Sequence, residues 1–289
     1  MLAELHPHPR DALISFEEEG HRYTIAGVGE QPISTTTFIH TFFEEFDADR
    51  VITSMMASRN WPNSRYFGMS REEIKQQWED NRVEASTAGT RMHKSIEDFL
   101  NLPDEARYQA CTYFAEYGAV PRSLPQTDEF RMFMEFWRYV IDSTTMRPYR
   151  TEWLVYDAPK RLAGSIDLVM RDADTGDYII ADWKRSKEIK KGNPWRNGRL
   201  CLSHLPDCNY THYSLQLNIY RHLLETLYGA RVVRMFLVVL HPNNAGYEIH
   251  DIERMEREVN EMLKLLPMPV PHSAEPPAGG GGVAREAQK

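Results

Sequence analysis

The chain has 289 residues, of which 42% are hydrophobic and 26% are charged, and its formal net charge is −8. These proportions are ordinary for a globular protein of one large domain, or of one domain with an added lobe. No apolar run approaches the ~20 residues of a membrane span, and residues 1–10 lack a signal-peptide core. The three cysteines make no disulfide framework. We therefore expect an intracellular protein in a reducing compartment, the cytoplasm or the nucleus.

Residues 1–85 are predicted to form a mostly helical accessory lobe whose purpose the sequence does not indicate. A weak alternation of apolar and polar residues over 13–26 predicts a hairpin within this lobe. An aromatic-rich helix is predicted over residues 38–46. A serine followed three residues later by a glutamate has the spacing of a capping box and predicts a helix over residues 70–83.

A second helix is predicted over residues 86–100, where His93 and Glu97 lie four apart and share a face. A lone histidine beside an apolar stripe is more often a structural core residue than a metal ligand. Glu97 is suited to bind a metal, to orient His93 or to remain in solvent. The apolar stripe consists of Met92, Ile96, Phe99 and Leu100.

Two further helices are predicted over residues 104–117 and 127–141, and their aromatic stripes are assigned to the hydrophobic core. The first strand of a sheet is predicted over residues 149–156. Glu152 opens the apolar run of this strand. A carboxylate at that position is either a strand-edge acid or a member of a site.

Residues 164–170 and 178–184 are two apolar runs separated by an Asp/Gly-rich turn, which predicts a β-hairpin. Side chains alternate faces along a strand, so Asp182 and Lys184 share one face. A hairpin of this length can bring Asp167 of the first strand beside Asp182. The predicted result is two carboxylates and an ammonium at the ends of two adjacent strands.

Such a cluster of like charges destabilises the fold unless another group compensates for it. A hard divalent cation does so, because Mg²⁺ and Mn²⁺ bind carboxylate oxygens and keep several waters. The lysine then stands beside the scissile phosphate or the attacking water. The alternative is a surface hairpin whose acids and lysine are solvated, which is the more common origin of an isolated Asp-x-Lys sequence.

A basic run follows the hairpin directly, although the net charge of the whole chain is negative. Between residues 184 and 199 there are seven basic residues and a single acid, Glu188. Basic residues interleaved with an aromatic ring suit a nucleic-acid backbone and a stacked base, whereas the alternative is a solvated loop. The candidate nucleic-acid-binding residues are Arg185, Lys187, Lys190, Lys191, Trp195, Arg196 and Arg199.

The last part of the chain begins with an amphipathic helix predicted over residues 211–228. Gln216 and Tyr220 lie four apart on a face that adjoins its apolar stripe. They belong either to a site or to an ordinary amphipathic surface. The remaining predicted elements are a fully buried strand at 232–240, a short strand at 247–250, a closing helix at 252–266 and a disordered tail at 267–289.

Four of these features, in this order, resemble the PD-(D/E)xK nucleases. They are the helix with His93, the Gly-Ser-Ile-Asp that ends at Asp167, the Asp-Trp-Lys that ends at Lys184, and the Gln216-x-x-x-Tyr220 helix. The similarity covers about residues 86–240. It is greatest to the RecB-like and lambda-exonuclease-like branch, which includes mitochondrial genome-maintenance and viral exonucleases.

The resemblance implies a restriction-endonuclease-like core over residues 86–266, an α/β fold with a central mixed sheet flanked by helices. It also implies a deoxyribonuclease that depends on Mg²⁺ or Mn²⁺ and acts as an exonuclease on DNA ends or single strands. By analogy, the metal ligands are His93, Asp167, Asp182 and the main-chain carbonyl of Trp183. Lys184 acts on the water or the phosphate, and Glu152, Gln216 and Tyr220 support the site.

Other functions of the same fold stay open at this point. A structure-selective DNA endonuclease or an RNA nuclease uses the same chemistry, and a non-catalytic nucleic-acid-binding module uses none. Some relatives hold an iron–sulfur cluster on four cysteines. We expect none here, because only Cys111, Cys201 and Cys208 are available. A zinc site from Cys201, His204, Cys208 and His212 has no standard spacing and is disfavoured.

Overall fold

The structure is a computed structural model that describes residues 1–267, and helices cover both faces of its central mixed sheet. The α/β architecture predicted from the sequence is confirmed. The strands are β1 (Ile14–Glu17), β2 (Arg22–Ile25), β3 (Ile33–Ser34), β4 (Met146–Asp157), β5 (Leu162–Asp172), β6 (Tyr178–Lys184), β7 (Val232–Val239) and β8 (Glu248–Asp251). The α-helices are α1 (Leu2–Leu5), α2 (Thr35–His40), α3 (Ala48–Met56), α4 (Arg71–Leu100), α5 (Asp104–Tyr117), α6 (Asp128–Phe136), α7 (Asn209–Leu227) and α8 (Glu256–Leu263).

Strand β5 is the centre of the sheet, and its two edges have different neighbours. Along one edge β4 pairs antiparallel over the whole length of β5. The other edge is shared, because β3 pairs in parallel with residues 162–163 and β6 pairs antiparallel with residues 168–171. Strand β7 joins β6 in parallel, and β8 pairs antiparallel with β7. Among the described residues, 164–167 of β5 therefore lack a ladder partner on the shared edge.

The two faces of the sheet bury separate cores. Helices α2, α7 and α8 cover one face, where Phe38, Leu215 and Val169 are fully buried. Helices α4, α5 and α6 cover the other, where Phe99 and Trp183 are buried together. Side chains of β6 alternate between the two cores, so Asp182 and Lys184 face α7 while Trp183 faces α4 and α6.

Helix α4 is continuous where the sequence predicted two helices. The predicted capping box is confirmed, since Ser70 and Glu73 exchange hydrogen bonds between side chain and main chain. The helix then runs for 30 residues, about 45 Å at 1.5 Å per residue. Every residue from 79 to 87 is exposed, so no apolar stripe marks this part as helical. Its helix-forming residues continue the helix nevertheless, and Gly89 costs only about 1 kcal/mol.

Two other helices have different limits from those predicted. Helix α2 begins earlier, at Thr35, because the Ser34 side chain accepts a hydrogen bond from the Thr37 main chain and caps it. The closing helix begins later, at Glu256. The buried side chain of Asn218 bonds to main-chain groups of Glu253 and Met255, which holds those residues outside the helix.

A small satellite core lies at the N-terminal end of α4, apart from the two main cores. Ile52 of α3, Tyr66 of the following loop and Ile74 of α4 are buried in it. Strand β3, by contrast, pairs with β5 of the main sheet. The division into a lobe at 1–85, a core at 86–266 and a tail from 267 stays a prediction, and the tail beyond Pro267 lies outside the described residues.

The N-terminal segment is attached to β4 through Asp11. Its carboxylate lies 2.7 Å from the guanidinium of Arg150 and accepts hydrogen bonds from the indole of Trp153 and the main chain of His8. Burial opposes ionisation of Asp11, but these hydrogen bonds prevail and lower its pKa. None of the helices within residues 1–267 is both long and apolar enough to span a membrane.

We expect Asp11→Ala to reduce the free energy of unfolding by about 2–3 kcal/mol, because it leaves the buried Arg150 guanidinium without its acid. This corresponds to a Tm lower by about 4–12 °C. The lowered pKa means that the carboxylate stabilises the fold above its ordinary value of 3.8 and loses this effect as the pH falls below it. Melts of the two proteins should therefore converge below about pH 4. Glu17→Ala, which breaks an exposed ion pair with Arg22, is the control and should change stability by less than about 1 kcal/mol.

Candidate active site

The predicted pair of acids lies where β5 and β6 separate. The last ladder pair of these strands joins Leu168 to Ala181, and one step further the antiparallel register brings Asp167 opposite Asp182. The ladder itself does not continue there. Instead, the Asp167 side chain accepts a hydrogen bond of 2.8 Å from the main-chain N–H of Trp183. The Asp167 side chain thus takes the place of the missing strand pairing. The same hydrogen bond fixes its carboxyl where the two strands separate.

Glu152 of β4 adds a third carboxyl from the opposite edge of β5. Its neighbours Thr151 and Trp153 pair with Leu168 and Ile166, so Glu152 lies level with Asp167. Its φ of +44° is in the left-handed region, where a residue other than glycine is strained. The hydroxyl of Ser165 donates a hydrogen bond of 2.7 Å to the Glu152 carboxylate. This backbone conformation turns the Glu152 side chain toward Asp167 of β5 and Asp182 of β6.

His93 of α4 completes a group of possible metal ligands. One ligand atom each from His93, Glu152 and Asp167 lies within 4.8 Å of the others. The His93 Nδ1 atom is 3.4 Å from the Asp167 carboxylate. Burial lowers the pKa of His93, so its imidazole is neutral at pH 7 and keeps a lone pair for a metal. Glu97, the other candidate on this helix, lies 3.5 Å from Lys94.

The carboxyls of the group resist ionisation in the absence of a cation. Burial raises the pKa of Asp167 to about 8, and the neighbouring charge of Asp182 adds to the effect. Burial likewise raises the pKa of Glu152 to about 7, with a further contribution from Asp167. The protein therefore brings together acids that repel one another in a place that water does not solvate well.

Lys184 lies at the end of β6 with its ammonium directed at Asp182. The Nζ atom is 2.6 Å from Asp182 Oδ2 and forms an ion pair with this buried carboxylate. Nζ also donates to the Gln216 side chain at 3.5 Å and lies 4.5 Å from the centre of the Tyr213 ring. Burial lowers the pKa of Lys184, but Asp182 and Asp167 outweigh it and raise that pKa, so the ammonium stays charged.

The two predicted residues of α7, Gln216 and Tyr220, occupy different positions relative to the acidic residues. Gln216 contacts Lys184 and also donates a hydrogen bond of 3.2 Å to the Tyr220 hydroxyl. Tyr220 is buried, and a Cβ built on Gly164 would lie 2.6 Å from its ring. Only glycine lets β5 approach this closely. Tyr220 therefore holds the Gln216 side chain in position from the buried side of the site and does not itself face a substrate.

The residues present fit a divalent cation. The site offers buried carboxylate oxygens and a neutral imidazole nitrogen, and hard cations bind both kinds of atom. His93, Glu152 and Asp167 are already gathered, with Asp182 beside them. Within residues 1–267 these three form the single group of this kind. In the disfavoured zinc set, the His212 Nε2 atom lies 3.0 Å from Asp207 instead.

The basic loop, residues 185–199, is irregular and leaves the site directly after Lys184. Trp195 is 89% exposed, which suits a ring that stacks on a base. Two of the candidate cations have acidic neighbours, since Arg185 forms an ion pair with Glu129 and Arg196 lies 3.9 Å from Glu44. The exposed members of the candidate set are Lys187, Lys190, Lys191, Trp195 and Arg199.

Comparison with known proteins identifies the family of the chain. Residues 63–276 match the family model of the PD-(D/E)XK nuclease superfamily. The chain belongs to this superfamily. No curated protein matches the sequence. Among solved structures the chain is similar to one described as "Crystal structure of SSO0001", with 16% sequence identity and a TM-score of 0.27, over 81% of this chain and 73% of that one.

Membership of the superfamily assigns the chain to a group of divalent-metal nucleases, and the mixed sheet flanked by helices is consistent with it. Tyr213 and Ser165 were not among the predicted site residues. Tyr213 precedes Gln216 by one helical turn, so the i, i+3 spacing was the available signal. Ser165 shares a strand face with Asp167. The left-handed backbone at Glu152 has no counterpart in the sequence pattern.

We expect the burial of Asp167, together with repulsion from Asp182, to make the metal-free protein less stable as the pH rises. The folded carboxyl keeps its proton up to about pH 8, whereas an unfolded one loses it near its ordinary value of 3.8. The folded state thus binds more protons between these values, and stability falls by up to about 1.4 kcal/mol per pH unit. In EDTA, Asp167→Asn should show a weaker fall of Tm between pH 5 and 8.

Added Mn²⁺ should stabilise the wild type and reverse the order of the two proteins. An ion at 100 times its Kd contributes about 2.7 kcal/mol. Asp174→Asn, which changes an exposed acid in the turn of the same hairpin, should follow the wild type throughout. Equal pH dependence of wild type and Asp167→Asn would show that Asp167 is not held under repulsion.

Proposed function

We propose that the protein is a divalent-metal-dependent deoxyribonuclease that hydrolyses phosphodiester bonds, and that it acts as an exonuclease on DNA ends or single strands. The observation that carries the proposal is the charged ammonium of Lys184 beside buried acids at the split of β5 and β6. The basic loop that begins at the next residue supports a polyanionic substrate. DNA as the substrate and the exonuclease mode rest on the motifs of the RecB-like branch.

We infer that Asp167, Asp182 and His93 hold the cation, with the main-chain carbonyl of Trp183, and that Glu152 joins them. The cation supplies Lewis-acid polarisation of the phosphate and a lower pKa for water. The protein's own contribution is to keep these ligands in place before the substrate arrives. Ser165 fixes the Glu152 carboxyl, and the Trp183 N–H fixes that of Asp167.

Lys184 stabilises the negative charge that develops during the reaction. Hydrolysis forms a bond from water oxygen to phosphorus and breaks the bond from phosphorus to the leaving sugar oxygen, which takes up a proton. Negative charge grows on the phosphoryl oxygens during this exchange. An ammonium already oriented by Asp182, Gln216 and the Tyr213 ring stabilises that charge without reorganisation.

Two alternative functions are open. One is a DNA endonuclease or an RNA nuclease of the same fold, and the other is a nucleic-acid-binding module without activity. The intact set of acids and lysine favours an enzyme over a binding module. End-labelled linear DNA, circular DNA and RNA, each incubated with Mn²⁺ or EDTA, distinguish these functions. Cleavage of linear but not circular DNA supports the proposal.

We expect Lys184→Ala to lower the cleavage rate by at least about 10²-fold, the scale of removing one oriented electrostatic group. Asp182→Asn should have an effect of the same size, and EDTA should abolish cleavage by the wild type. Lys264→Ala, which changes an exposed lysine directly after α8, is the control and should cleave as the wild type does. A fully active Lys184→Ala protein would exclude the proposed role.

We expect the basic loop to bind the phosphate backbone rather than particular bases. Replacing Lys190, Lys191 and Arg196 by alanine should weaken binding of unrelated DNA sequences to a similar extent. Each lost phosphate contact should also lower the slope of log K against log salt by about 0.7–0.9. A matched triple change at Arg22, Arg234 and Lys264, which are paired elsewhere, is the control. An unchanged salt slope in the loop variant would show that the loop is only a solvated surface.

A further inference from the structure

The loop between α3 and α4, residues 57–70, has a composition that the catalytic site does not explain. It contains Arg59 and Arg65 and no acidic residue, within a chain whose net charge is −8. Its aromatic residues are Trp61, Tyr66 and Phe67. The basic loop, which we propose as a nucleic-acid contact, combines the same kinds of side chain: arginines, a tryptophan and asparagines. The two loops are far apart in sequence, so each acquires this composition independently.

A surface cavity of about 440 Å³ opens in this loop, within the range of small-molecule sites. The Trp61 ring and Met55 give it an apolar side. The rest of the lining is neutral and polar. A cavity with one apolar and one polar side suits a nucleobase, which has an apolar ring face and a polar edge. Its lining residues are Met55, Ser58, Asn60, Trp61, Asn63 and Ser64.

The amides of this cavity are free to bind a ligand. Asn60 and Asn63 are exposed, and in the described part of the chain no hydrogen bond involves either side-chain amide. An amide carries donors and acceptors together, as a base edge does. Phe67, next in the loop, is 58% exposed and lies edge-on to Trp61, with ring centres 6.0 Å apart. A ring and free amides together give stacking and hydrogen bonding in one place.

The loop is held in shape rather than left mobile. Tyr66 is buried in the satellite core, and its hydroxyl accepts a hydrogen bond of 2.8 Å from the indole of Trp78 in α4. Arg65 stacks on the Tyr66 ring at 4.6 Å. Successive turns bond Trp61 to Ser58 and Ser64 to Trp61 through the main chain. A preformed site loses less entropy on binding than a flexible one.

Helix α4 joins this loop to the active site without interruption. From Ser70, which caps the helix, to His93, which faces the acids, there are 23 residues, or about 35 Å at 1.5 Å per residue. The helix is exposed over residues 79–87 between the two places. A stacked nucleic-acid strand advances 3.4 Å per nucleotide, so the separation corresponds to about ten nucleotides, and to fewer in an extended strand.

We propose that residues 57–70 form a second binding site for single-stranded nucleic acid, in which Trp61 stacks on a base and Asn60 and Asn63 bond to its edge. The site holds the strand at a distance from the scissile phosphate. This role of the site rests on the proposed nuclease function. Arg59 and Arg65 bind the adjoining phosphates. A protein partner fits the site less well, because the loop offers guanidinium groups and free amides rather than a continuous apolar patch.

The test compares binding of single-stranded oligonucleotides of 6 and of about 20 nucleotides by fluorescence anisotropy. Both DNA and RNA are used, and the full chain carries Asp182→Asn to prevent cleavage. Trp61→Ala in this background should weaken binding of the long DNA oligonucleotide about tenfold, within the contribution of base stacking. Trp61→Phe should recover most of the affinity. The preference for the long over the short oligonucleotide should shrink in Trp61→Ala.

Two further variants keep the test decisive if Trp61→Ala does not fold. Asn60→Asp with Asn63→Asp changes only exposed amides and should weaken binding of the long oligonucleotide by a similar factor. Tyr117→Ala removes an exposed ring from α5, away from the loop, and is the control. Affinities for the long oligonucleotide that equal the unmodified background in the double variant and in a folded Trp61→Ala protein would overturn the proposal.

Other outcomes separate this site from the proposed function. If the wild type cuts no nucleic acid with Mn²⁺, the nuclease proposal fails, and a loss of binding in the loop variants still supports a nucleic-acid site. If the wild type cuts but the loop variants bind normally, only the loop proposal fails. A loop variant that changes the sedimentation of the protein without changing oligonucleotide binding would identify the loop as a protein interface instead. Equal losses for DNA and RNA would show that the site reads bases without reading the sugar.

Discussion

Two carboxyl groups, Asp167 and Asp182, are held side by side, and burial together with repulsion from Asp182 raises the pKa of Asp167 to about 8. The rest of the site depends on this repulsion. Lys184 compensates part of it from the side of β6, and the neutral His93 brings a nitrogen near Asp167 without a further charge. We propose that a cation compensates the remainder. The fold holds the acids together because β5 and β6 stop pairing at this point while each keeps its other neighbour.

The split of the two strands also explains the arrangement around the site. With no ladder partner on one edge, residues 164–167 of β5 are free for side-chain contacts among the described residues. Tyr220 fills the approach at Gly164, where a larger residue would clash, and from there it fixes Gln216 and Lys184. The proposed ligands thus come from three strands and one helix. Ser165 holds the Glu152 carboxyl in place, and the main-chain N–H of Trp183 holds that of Asp167.

Much of the fold and part of the site could be predicted from the sequence. The two apolar runs and their turn predict the hairpin but not its pairing register, and the observed register brings Asp167 opposite Asp182. The continuity of α4 could not be predicted, because its exposed middle has no apolar stripe. The approach of Glu152 depends on a left-handed backbone that the residue type does not favour. The ion pair of Arg185 with Glu129 joins residues far apart in sequence, and no local pattern indicates such a contact.

The satellite core lies at the start of α4, beside the loop that we propose as a second nucleic-acid site. The central claim, however, is that the buried acids exist to hold a cation. A crystal soaked with Mn²⁺ tests it most directly, through the anomalous scattering of the metal. We predict a peak in contact with the carboxylates of both Asp167 and Asp182, with Lys184 turned toward the open side. A soaked crystal with no peak there, and with Asp182 still paired only to Lys184, would contradict the account.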